Sequence, residues 1–499
     1  MSESPTAGAL KILLVAAEVA PFAKVGGLAD VAGALPLALR ALGHDVRVVM
    51  PQYTQVDAVQ HALRPRVADL AVPLGETTQQ VAILESTIGR AAEVPVYFVC
   101  NAHYYGRPEV YAYPDDDERF LLFCRAALEM LPALAWWPDV IHCNDWHTGI
   151  IPNWLQTIYR KDPRYARIAT VYTIHNLAYQ GVFPESVLAR TGLQAYGRIA
   201  PEVAHFPGQI NLMARGLLYA DAITTVSQQY AREILTPEYG EQLDSLLRER
   251  QAQVFGIVNG IDVDLVDPRT DPHLAQPFDA DHLEGKAANK AALQQEAGLP
   301  PRPDVPICGA ISRLAAQKGF EIMVPMLEQL LTTHDVQFVV LAIGNPGYEA
   351  QFRQLQARFP NQVAAFLRFD APLAQRIYGG ADLFLMPSRF EPCGLGQMFA
   401  MRYGTVPVVR KTGGLADTVR DYDPATGAGD GFVFTRFSPD AFLEAAERAL
   451  ALYAAPAAWR KLVQHDMALD WSWDLSARQY VDLYRRVTND RGRVLSFEF

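Results

Sequence analysis

Lys24-Val-Gly-Gly-Leu-Ala-Asp30 recurs near the other end of the chain as Lys411-Thr-Gly-Gly-Leu-Ala-Asp417. Each copy follows a short apolar run and begins a stretch with helical spacing, as at the strand-to-helix turn of a βαβ unit. Paired glycines let the backbone approach a ligand, and a helix N-terminus offers amide donors to an anion. Paired glycines can also simply make a tight turn. Two copies, each beside a lysine, favour an anion-binding turn in each half of the chain.

Around these turns, short runs rich in Val and Ile alternate with helical patterns, which indicates parallel sheets in two doubly wound α/β domains. Strands are predicted in the first half at Lys11–Ala16, Val46–Met50, Val96–Cys100, Val140–Cys143, Thr170–Ile174, Ala222–Val226 and Val254–Val258, with helices at Leu28–Leu42 and Glu118–Leu131. Strands are predicted in the second half at Ile307–Ile311, Phe338–Ile343, Ala364–Phe369, Leu383–Pro387, Val406–Val409 and Phe432–Phe434, with a helix at Pro439–Tyr453. Proline and aspartate cluster between Asp264 and Pro306, so a domain boundary is expected there.

Composition excludes several classes of protein. The chain has 499 residues, half of them apolar, and a formal charge of −11, which gives no broad basic face for nucleic acid. Its five cysteines are scattered, so neither a disulfide framework nor a zinc site is expected, and a reducing cytoplasm fits. The apolar start, Leu10–Ala20, carries Lys11 and Glu18 and is interpreted as a buried strand. No membrane span is expected, because no run of eighteen apolar residues occurs.

Two cations and one carboxylate follow strands of the second half. Arg313 and Lys318, at a strand end that leads into a helix, could together neutralise a diphosphate. Alternatively, both are solvated loop cations. Glu391, in the polar turn Pro387-Ser-Arg-Phe-Glu-Pro-Cys-Gly394, could bind sugar hydroxyls or could merely cap a helix. The phosphate-loop and dinucleotide fingerprints are absent, which disfavours ordinary ATPases and dehydrogenases.

Polar clusters also end two strands of the first half, at His142-Cys-Asn-Asp145-Trp-His147 and Tyr172-Thr-Ile-His175-Asn176. No further ligand completes a tetrahedral metal set there, so a sugar pocket with an aromatic face explains them better. Asp262-Val-Asp264 and Asp115-Asp-Asp117 are interpreted as turn and helix-capping residues. The sequence therefore predicts no metal and no cofactor.

Six ordered motifs resemble the bacterial glycogen synthase and plant starch synthase family of the GT-B architecture. They are Lys24-Val-Gly-Gly-Leu, Asp145-Trp-His, Thr173-Ile-His-Asn-Leu-Ala-Tyr-Gln-Gly, Val258-Asn-Gly-Ile-Asp, Ser312-Arg through Lys318-Gly, and Glu391-Pro-Cys-Gly-Leu. The resemblance covers about Lys11 to Tyr480. It implies two Rossmann-like domains facing a cleft, residues 1–262 and 263–465, with residues 466–499 forming a C-terminal helix that returns to the first domain.

The resemblance also assigns roles residue by residue. The implied catalytic residues are Arg313 and Lys318, which would stabilise the leaving diphosphate, and Glu391, Asp145 and His175, which would hold the glucose. The implied substrate-binding residues are Lys24, Gly26, Gly27, Asp30, Tyr105, Asn176, Asn259, Phe369, Cys393, Gly394 and Leu395. Among these, Lys24 and the two glycines would approach the phosphates, Tyr105 would lie on the acceptor side, and Phe369 would stack near the nucleobase.

The implied reaction transfers glucose from ADP-glucose to the non-reducing end of an α-1,4-glucan, with retention of configuration. Many related transferases have a second Glu eight residues after the first, where this chain has Phe399, so one carboxylate is assigned there. Phe369 stands where the family tends to have Tyr, so stacking on the nucleobase is retained and a hydroxyl contact is lost. The alternatives are another GT-B nucleotide-sugar enzyme, namely an epimerase or a small-acceptor transferase, and a noncatalytic glucan-binding protein.

Overall fold

The computed structural model describes residues 8–89, 93–194 and 208–498. The described residues form two compact units, of which one comprises residues 1–260 with 473–499 and the other residues 261–472. The sequence places these boundaries at 262/263 and 465/466, whereas the second unit continues to Ser472. The first unit is therefore made from two separate parts of the chain.

The first unit is built on a nine-stranded sheet in the order β11-β10-β7-β6-β1-β2-β5-β4-β3. The strands of this sheet are β1 (Lys11–Val15), β2 (Asp45–Pro51), β3 (Arg64–Leu74), β4 (Thr77–Ile88), β5 (Val94–Cys100), β6 (Val140–Asn144), β7 (Ala169–Ile174), β10 (Ala222–Thr225) and β11 (Val254–Gly256). Two further strands, β8 (Val182–Pro184) and β9 (Gln209–Asn211), form a separate antiparallel pair. The central strands are parallel and β3 and β4 form an antiparallel hairpin at one edge. The central strands β1, β6 and β7 are buried almost along their whole length, and the few polar residues in β6 and β7 are buried with them.

Helices cover the parallel part of this sheet. They are α1 (Gly27–Ala41), α2 (Ala102–Tyr105), α3 (Asp116–Ala133), α4 (Ile150–Gln156), α5 (Pro163–Ala166), α6 (Leu188–Thr191), α7 (Leu212–Tyr219), α8 (Gln228–Glu233) and α9 (Asp244–Glu249). In α1, Leu28, Val31, Leu35 and Leu39 recur at helical spacing and are buried, so this helix presents one apolar face to the core.

The second unit has a six-stranded parallel sheet in the order β14-β13-β12-β15-β16-β17. Its strands are β12 (Ile307–Leu314), β13 (Gln337–Gly344), β14 (Val363–Phe366), β15 (Leu383–Met386), β16 (Val406–Arg410) and β17 (Phe432–Phe434). Its helices are α10 (Glu284–Glu296), α11 (Phe320–Thr333), α12 (Pro346–Arg358), α13 (Ala371–Gly380), α14 (Gly396–Arg402), α15 (Gly413–Thr418), α16 (Pro439–Tyr453) and α17 (Pro456–Ala468). This order is the doubly wound Rossmann arrangement.

In the parallel part of each sheet, the strand order reverses at one place. In the first unit, β1 pairs with β2 on one side and with β6 on the other. In the second unit, β12 lies between β13 and β15 in the same way. Crevices at the carboxyl ends of such strands are where open α/β sheets bind ligands, and the predicted site residues follow these strands.

The last helix, α18 (Trp473–Glu498), belongs to the first unit. Its Tyr484 hydroxyl lies 2.7 Å from Nδ1 of the buried His142, and Ser476 Oγ donates to Val258 O at 2.5 Å. Trp473, Ala477 and Tyr480 are buried against the same core. The predicted C-terminal helix is therefore present and packs on the first unit.

The structure confirms the predicted strands and helices to within a few residues at their ends. Asp262 accepts the amides of Asp264 and Leu265, as expected for a turn residue. Asp115 precedes α3, but its side chain makes no capping hydrogen bond there and pairs with Arg107 instead. The β3–β4 hairpin was not predicted, because β3 is mostly exposed, contains Pro65 and Pro73, and lacks a clear apolar alternation. Within the described ranges, no helix is both long enough and apolar enough to cross a membrane.

Candidate functional site

Glu18, just beyond β1, binds the first glycine turn. The amides of Val25 and Gly26 donate to its Oε2 at 2.5 and 3.0 Å, and the Tyr111 hydroxyl donates to Oε1 at 3.1 Å. The carboxylate is 4% exposed. Amide donors that the sequence assigns to a bound anion are thus occupied by an anion of the chain itself.

Lys24 lies on the surface beside this turn. Its Nζ is 2.6 Å from Asp30 Oδ1, and its side chain is more than half exposed. An ammonium group has three donors, so the pair with Asp30 leaves others for a ligand. Gly26 has an extended backbone, and the nearest atom to an added Cβ would be Glu18 Oε1 at 3.8 Å. The space around Gly26 is therefore open, as a close approach to a ligand would require.

Asp145, which follows β6, has a strained backbone with φ of 55° and ψ of −179°. Its own amide donates to Thr173 O at 2.9 Å, and its Oδ1 accepts the His175 amide at 2.8 Å. Burial raises the pKa of Asp145 to about 7, although the amides of His175 and Asn176 oppose the shift. Non-glycine residues in such conformations concentrate at functional sites.

His175, which follows β7, is held as a neutral imidazole. Its Nε2 lies 2.9 Å from Asn144 Oδ1, while Asn144 Nδ2 donates to Val15 O at 3.1 Å. Oδ1 must therefore accept, so Nε2 carries the proton and Nδ1 is an acceptor. Burial lowers the pKa of His175 to about 3. Asn176 accepts the Ala178 amide at 3.1 Å through Oδ1, which leaves its NH₂ group to donate.

The two other histidines of these clusters have structural roles instead. His142 is fully buried between Tyr484 and Thr173 Oγ1, the latter at 2.6 Å from Nε2. His147 stacks on Tyr111 with ring centroids 4.7 Å apart. Because both side chains are enclosed in the core, the predicted sugar pocket can use Asp145, His175 and Asn176 but not these rings.

Two predicted substrate contacts of the first unit lie inside it. Tyr105 has no exposed surface, and its hydroxyl donates to Arg119 O at 2.7 Å. Asn259 is also buried, and its Oδ1 has no partner among the described residues. In this conformation of the first unit, Tyr105 can only support neighbouring residues, whereas Asn259 retains an unused acceptor.

In the second unit, Lys318 and Glu391 form one ion pair at the carboxyl ends of β12 and β15. Lys318 Nζ donates to Glu391 Oε2 at 2.7 Å, and Ser388 Oγ donates to the same oxygen at 2.9 Å. The Glu391 side chain is nearly buried, whereas that of Lys318 is one-fifth exposed. The pair with Glu391 partly neutralises the charge of Lys318 and uses one of the three donors of its ammonium group.

Arg313 is a predicted phosphate-binding cation that has no partner among the described residues. It is the penultimate residue of β12 and is exposed. Among the residues that the structure describes, none forms an ion pair or hydrogen bond with its guanidinium group. A planar fork of donors beside Lys318 in the sequence is suited to bind phosphate oxygens.

The second glycine pair packs against the Glu391 turn. A Cβ on Gly413 would lie 2.0 Å from Glu391 O, and one on Gly414 would lie 2.0 Å from Cys393 O. Gly413 also has φ of +43°. These glycines let two backbone segments pack in contact, and the Gly414 amide donates to Glu391 O at 3.0 Å. The anion-binding role of this second turn stays a prediction.

The remaining predicted residues follow Glu391 in the chain or lie just beyond β14. Cys393 is buried, Gly394 has φ of +71°, and Leu395 precedes the first turn of α14. Phe369, beyond β14, has a side chain that is 85% exposed. An apolar ring exposed to this extent is available for stacking.

Sequence analysis missed Glu18, Asn144 and Ser388. Each follows or ends a strand at a switch point, as the predicted residues do, and that position was the available signal. Their contacts depend on how the turns fold back, since Glu18 lies seven residues before Val25 and Asn144 bonds His175 across 31 residues.

Comparison with known proteins agrees with this geometry. Residues 11–249 match the family described as the starch synthase catalytic domain, and residues 294–465 match glycosyl transferases group 1. A glycogen synthase of Desulforudis audaxviator is 49% identical and covers 97% of this chain and 98% of its own. A glycogen synthase of Moorella thermoacetica is 50% identical with the same coverage.

Solved structures give the same result. The catalytic domain of starch synthase IV from Arabidopsis thaliana, bound to ADP and acarbose, has a TM-score of 0.90 and 35% identity, covering 97% of this chain and 100% of its own. Sucrose-phosphate synthase from Thermosynechococcus elongatus, at 19% identity and a TM-score of 0.59, shares the fold alone. Two Rossmann-like units, the ordered motifs and the full-length identity lead to one conclusion: the chain belongs to the glycogen synthase and starch synthase family of GT-B glucosyltransferases.

Proposed function

We propose that this enzyme transfers glucose from ADP-glucose to the non-reducing end of an α-1,4-glucan with retention of configuration. The proposal is carried by two cations of the second unit: Arg313, which has no partner in the part of the chain that the structure describes, and Lys318, whose charge is balanced by the nearly buried Glu391. These groups lie at the switch point of a Rossmann sheet, where a nucleotide diphosphate would bind. The related starch synthase IV holds ADP and acarbose, which supports the choice of adenine nucleotide and glucan.

Arg313 and Lys318 would stabilise the diphosphate as it leaves. Departure of ADP places negative charge on phosphate and positive charge on the anomeric carbon, and fixed cations favour this separation over the bound ground state. Lys318 can donate to Glu391 and to phosphate at once, because its ammonium has three N–H groups. The leaving phosphate would then help to deprotonate the incoming hydroxyl on the same face of the sugar.

Asp145, His175 and Asn176 would orient the glucose. His175 is neutral, so it can accept a hydroxyl hydrogen bond at Nδ1 without adding positive charge beside the developing sugar cation. Asp145, with a pKa of about 7, can accept from a hydroxyl in its ionised form. Lys24 would approach the phosphates. Glu18 would either keep its hydrogen bonds to the amides of Val25 and Gly26, which fixes the shape of the turn, or release these amides to the phosphates.

A donor competition tests the proposal. ADP-glucose and UDP-glucose are supplied together with glycogen and without added metal, and ADP and UDP are separated and quantified. We expect glucan-dependent release of ADP in excess over UDP, and a ladder of hexose additions on a maltooligosaccharide acceptor by mass spectrometry. No release from either donor would defeat the proposal.

The same product analysis separates the alternative activities. An epimerase would change the nucleotide sugar without extending any acceptor, and a small-acceptor transferase would add one hexose without a ladder. For a noncatalytic glucan-binding protein, wild type and Lys318→Ala would release equal, background amounts of nucleotide. Anomeric analysis of the new linkage by NMR checks retention, for which an α-linkage is expected.

A further inference from the structure

Three potential metal ligands meet in the second unit, away from the predicted donor-binding residues. One ligand atom from each of Asp430, His465 and Asp466 lies within 4.8 Å of the others. Asp430 precedes β17, which runs parallel to β16, whereas Arg313, Lys318 and Glu391 follow or end their strands. This cluster therefore lies at the amino-terminal end of the sheet strands, opposite the proposed reaction site.

Asp466 is the unusual member of the cluster. It projects from α17 and has no exposed surface, yet neither carboxylate oxygen has a hydrogen-bond partner among the described residues. A buried carboxylate requires a cation or several donors, and a protonated carboxyl group requires an acceptor for its hydrogen. Among the described residues, Arg420 acts on Asp466 only through its charge, and no group forms a hydrogen bond with either Asp466 oxygen.

Asp430 and His465 complete the arrangement. Asp430 is also buried, and its Oδ1 lies 2.9 Å from Nε2 of His465. Arg420 binds both oxygens of Asp430, at 2.7 and 2.8 Å, but its side chain is 67% exposed and can turn into solvent. The His465 side chain is 44% exposed, so one side of the cluster is open to water.

We propose that Asp430, His465 and Asp466 bind a divalent transition-metal ion of the zinc type. An imidazole nitrogen with carboxylate oxygens is a ligand set that Zn²⁺ accepts, and water entering beside His465 would complete the coordination. Two carboxylates balance the charge of the ion, and this releases Arg420 from its role as the counter-ion of Asp430. The bound ion would fasten the segment before β17 to α17 and so stabilise the second unit.

The experiment uses the full chain, treated with EDTA and desalted, with Zn²⁺ for binding and Co²⁺ as a spectroscopic probe. Isothermal titration gives the affinity for Zn²⁺, and thermal unfolding is followed with and without the ion. The variants are Asp466→Asn and His465→Gln, and the matched control is His273→Gln, which replaces an exposed histidine of the same unit. Nucleotide-sugar turnover serves as the check that each variant is folded.

We expect one Zn²⁺ per chain and a Tm that rises with Zn²⁺, because a ligand that binds only the folded state stabilises it. Both cluster variants should lose affinity about tenfold or more, while the control binds like wild type. In EDTA, Asp466→Asn should unfold at a higher temperature than wild type, since it removes an unsatisfied buried carboxylate. Co²⁺ should give visible d–d bands without a thiolate charge-transfer band. Absence of binding, equal binding by Asp466→Asn, or a thiolate band that assigns the ion to cysteine would each overturn the proposal.

Discussion

At the scale of single residues, Lys318 is expected to have two effects: it stabilises the fold through its ion pair with Glu391, and it stabilises the leaving group in catalysis. Lys318→Ala leaves a buried carboxylate with Ser388 as its remaining side-chain donor, and it removes a cation from the leaving group. We expect kcat/KM with ADP-glucose to fall roughly 100-fold or more, about 3 kcal/mol of transition-state stabilisation. Steady-state kinetics measures this loss, with the exposed Lys461→Ala as the control.

A second variant distinguishes the two effects of this change. Lys318→Ala with Glu391→Gln removes both charges, so the urea midpoint should recover towards wild type, because no unpaired charge stays buried. Activity should not recover. If activity returned together with stability, the role of Lys318 would be structural.

The ionised form of Asp145 should lower the stability of the fold and should be needed for full turnover. Its folded-state pKa of about 7 exceeds the ordinary value of 3.8, so its contribution to stability is present below pH 3.8 and is lost as pH rises through 7. Asp145→Asn has no such titration, so its stability relative to wild type should rise by on the order of 4 kcal/mol from pH 4 to pH 8. Its turnover should be roughly 10- to 100-fold lower, because a hydrogen bond to a charged group is lost. Urea unfolding at several pH values is the measurement, and a difference that does not vary with pH would contradict the assignment.

At the scale of elements, the two glycine turns should respond differently to the same substitution. Gly413→Ala forces a Cβ to within 2.0 Å of Glu391 O at φ of +43°, so it should lower the free energy of unfolding by about 2 kcal/mol or more. Gly26→Ala meets nothing closer than 3.8 Å and should cost less than about 1 kcal/mol. Chemical denaturation of the two variants checks this, and equal losses would contradict it.

The elements themselves were largely predictable from the sequence. Buried parallel strands are rich in apolar residues, so β1, β13 and β16 were visible as short runs rich in Val, Ile and Leu. The β3 edge strand was not predictable, because most of its residues face solvent and show no regular alternation of apolar and polar residues. Strand ends predicted Asp145, His175 and Glu391, since ligands bind there.

Contacts between residues that turns and loops bring together were not predictable from the sequence. The bonds from Val25 and Gly26 to Glu18 depend on a turn whose path the local sequence does not specify. The packing of Gly413 on Glu391 joins two loops that follow neighbouring strands. Asp430 and His465 are 35 residues apart and match no ligand spacing.

At the scale of the whole molecule, buried histidines should make the first unit sensitive to acid. Burial lowers the pKa of His142 and His175 to about 3, and that of His147 well below its ordinary 6.5. Because the folded pKa lies below the unfolded one, stability is present above pH 6.5 and is lost as pH falls. Each histidine should remove roughly 1.4 kcal/mol per pH unit below 6.5, while Asp145 partly offsets the loss.

The pH dependence of the urea midpoint between pH 5 and pH 8 measures this sensitivity. His147→Phe is the matched variant, because the ring lies among Tyr111, Phe120 and Trp146 and its Nδ1 has no described partner. It should leave stability at pH 8 nearly unchanged and reduce the slope below pH 6.5. An unchanged slope would show that His147 is not buried as a neutral ring.

The last helix also determines when the first unit can complete its fold during translation. Trp473, Tyr480 and Tyr484 fill the core of a unit whose other residues end at Gly260. A ribosome therefore makes the whole intervening Rossmann unit before it delivers the segment that completes the earlier one. Until then, the surface of the nascent chain on which Trp473, Tyr480 and Tyr484 will pack is uncovered. We expect the amino-terminal half to require chaperone protection in the cell while the intervening unit folds first.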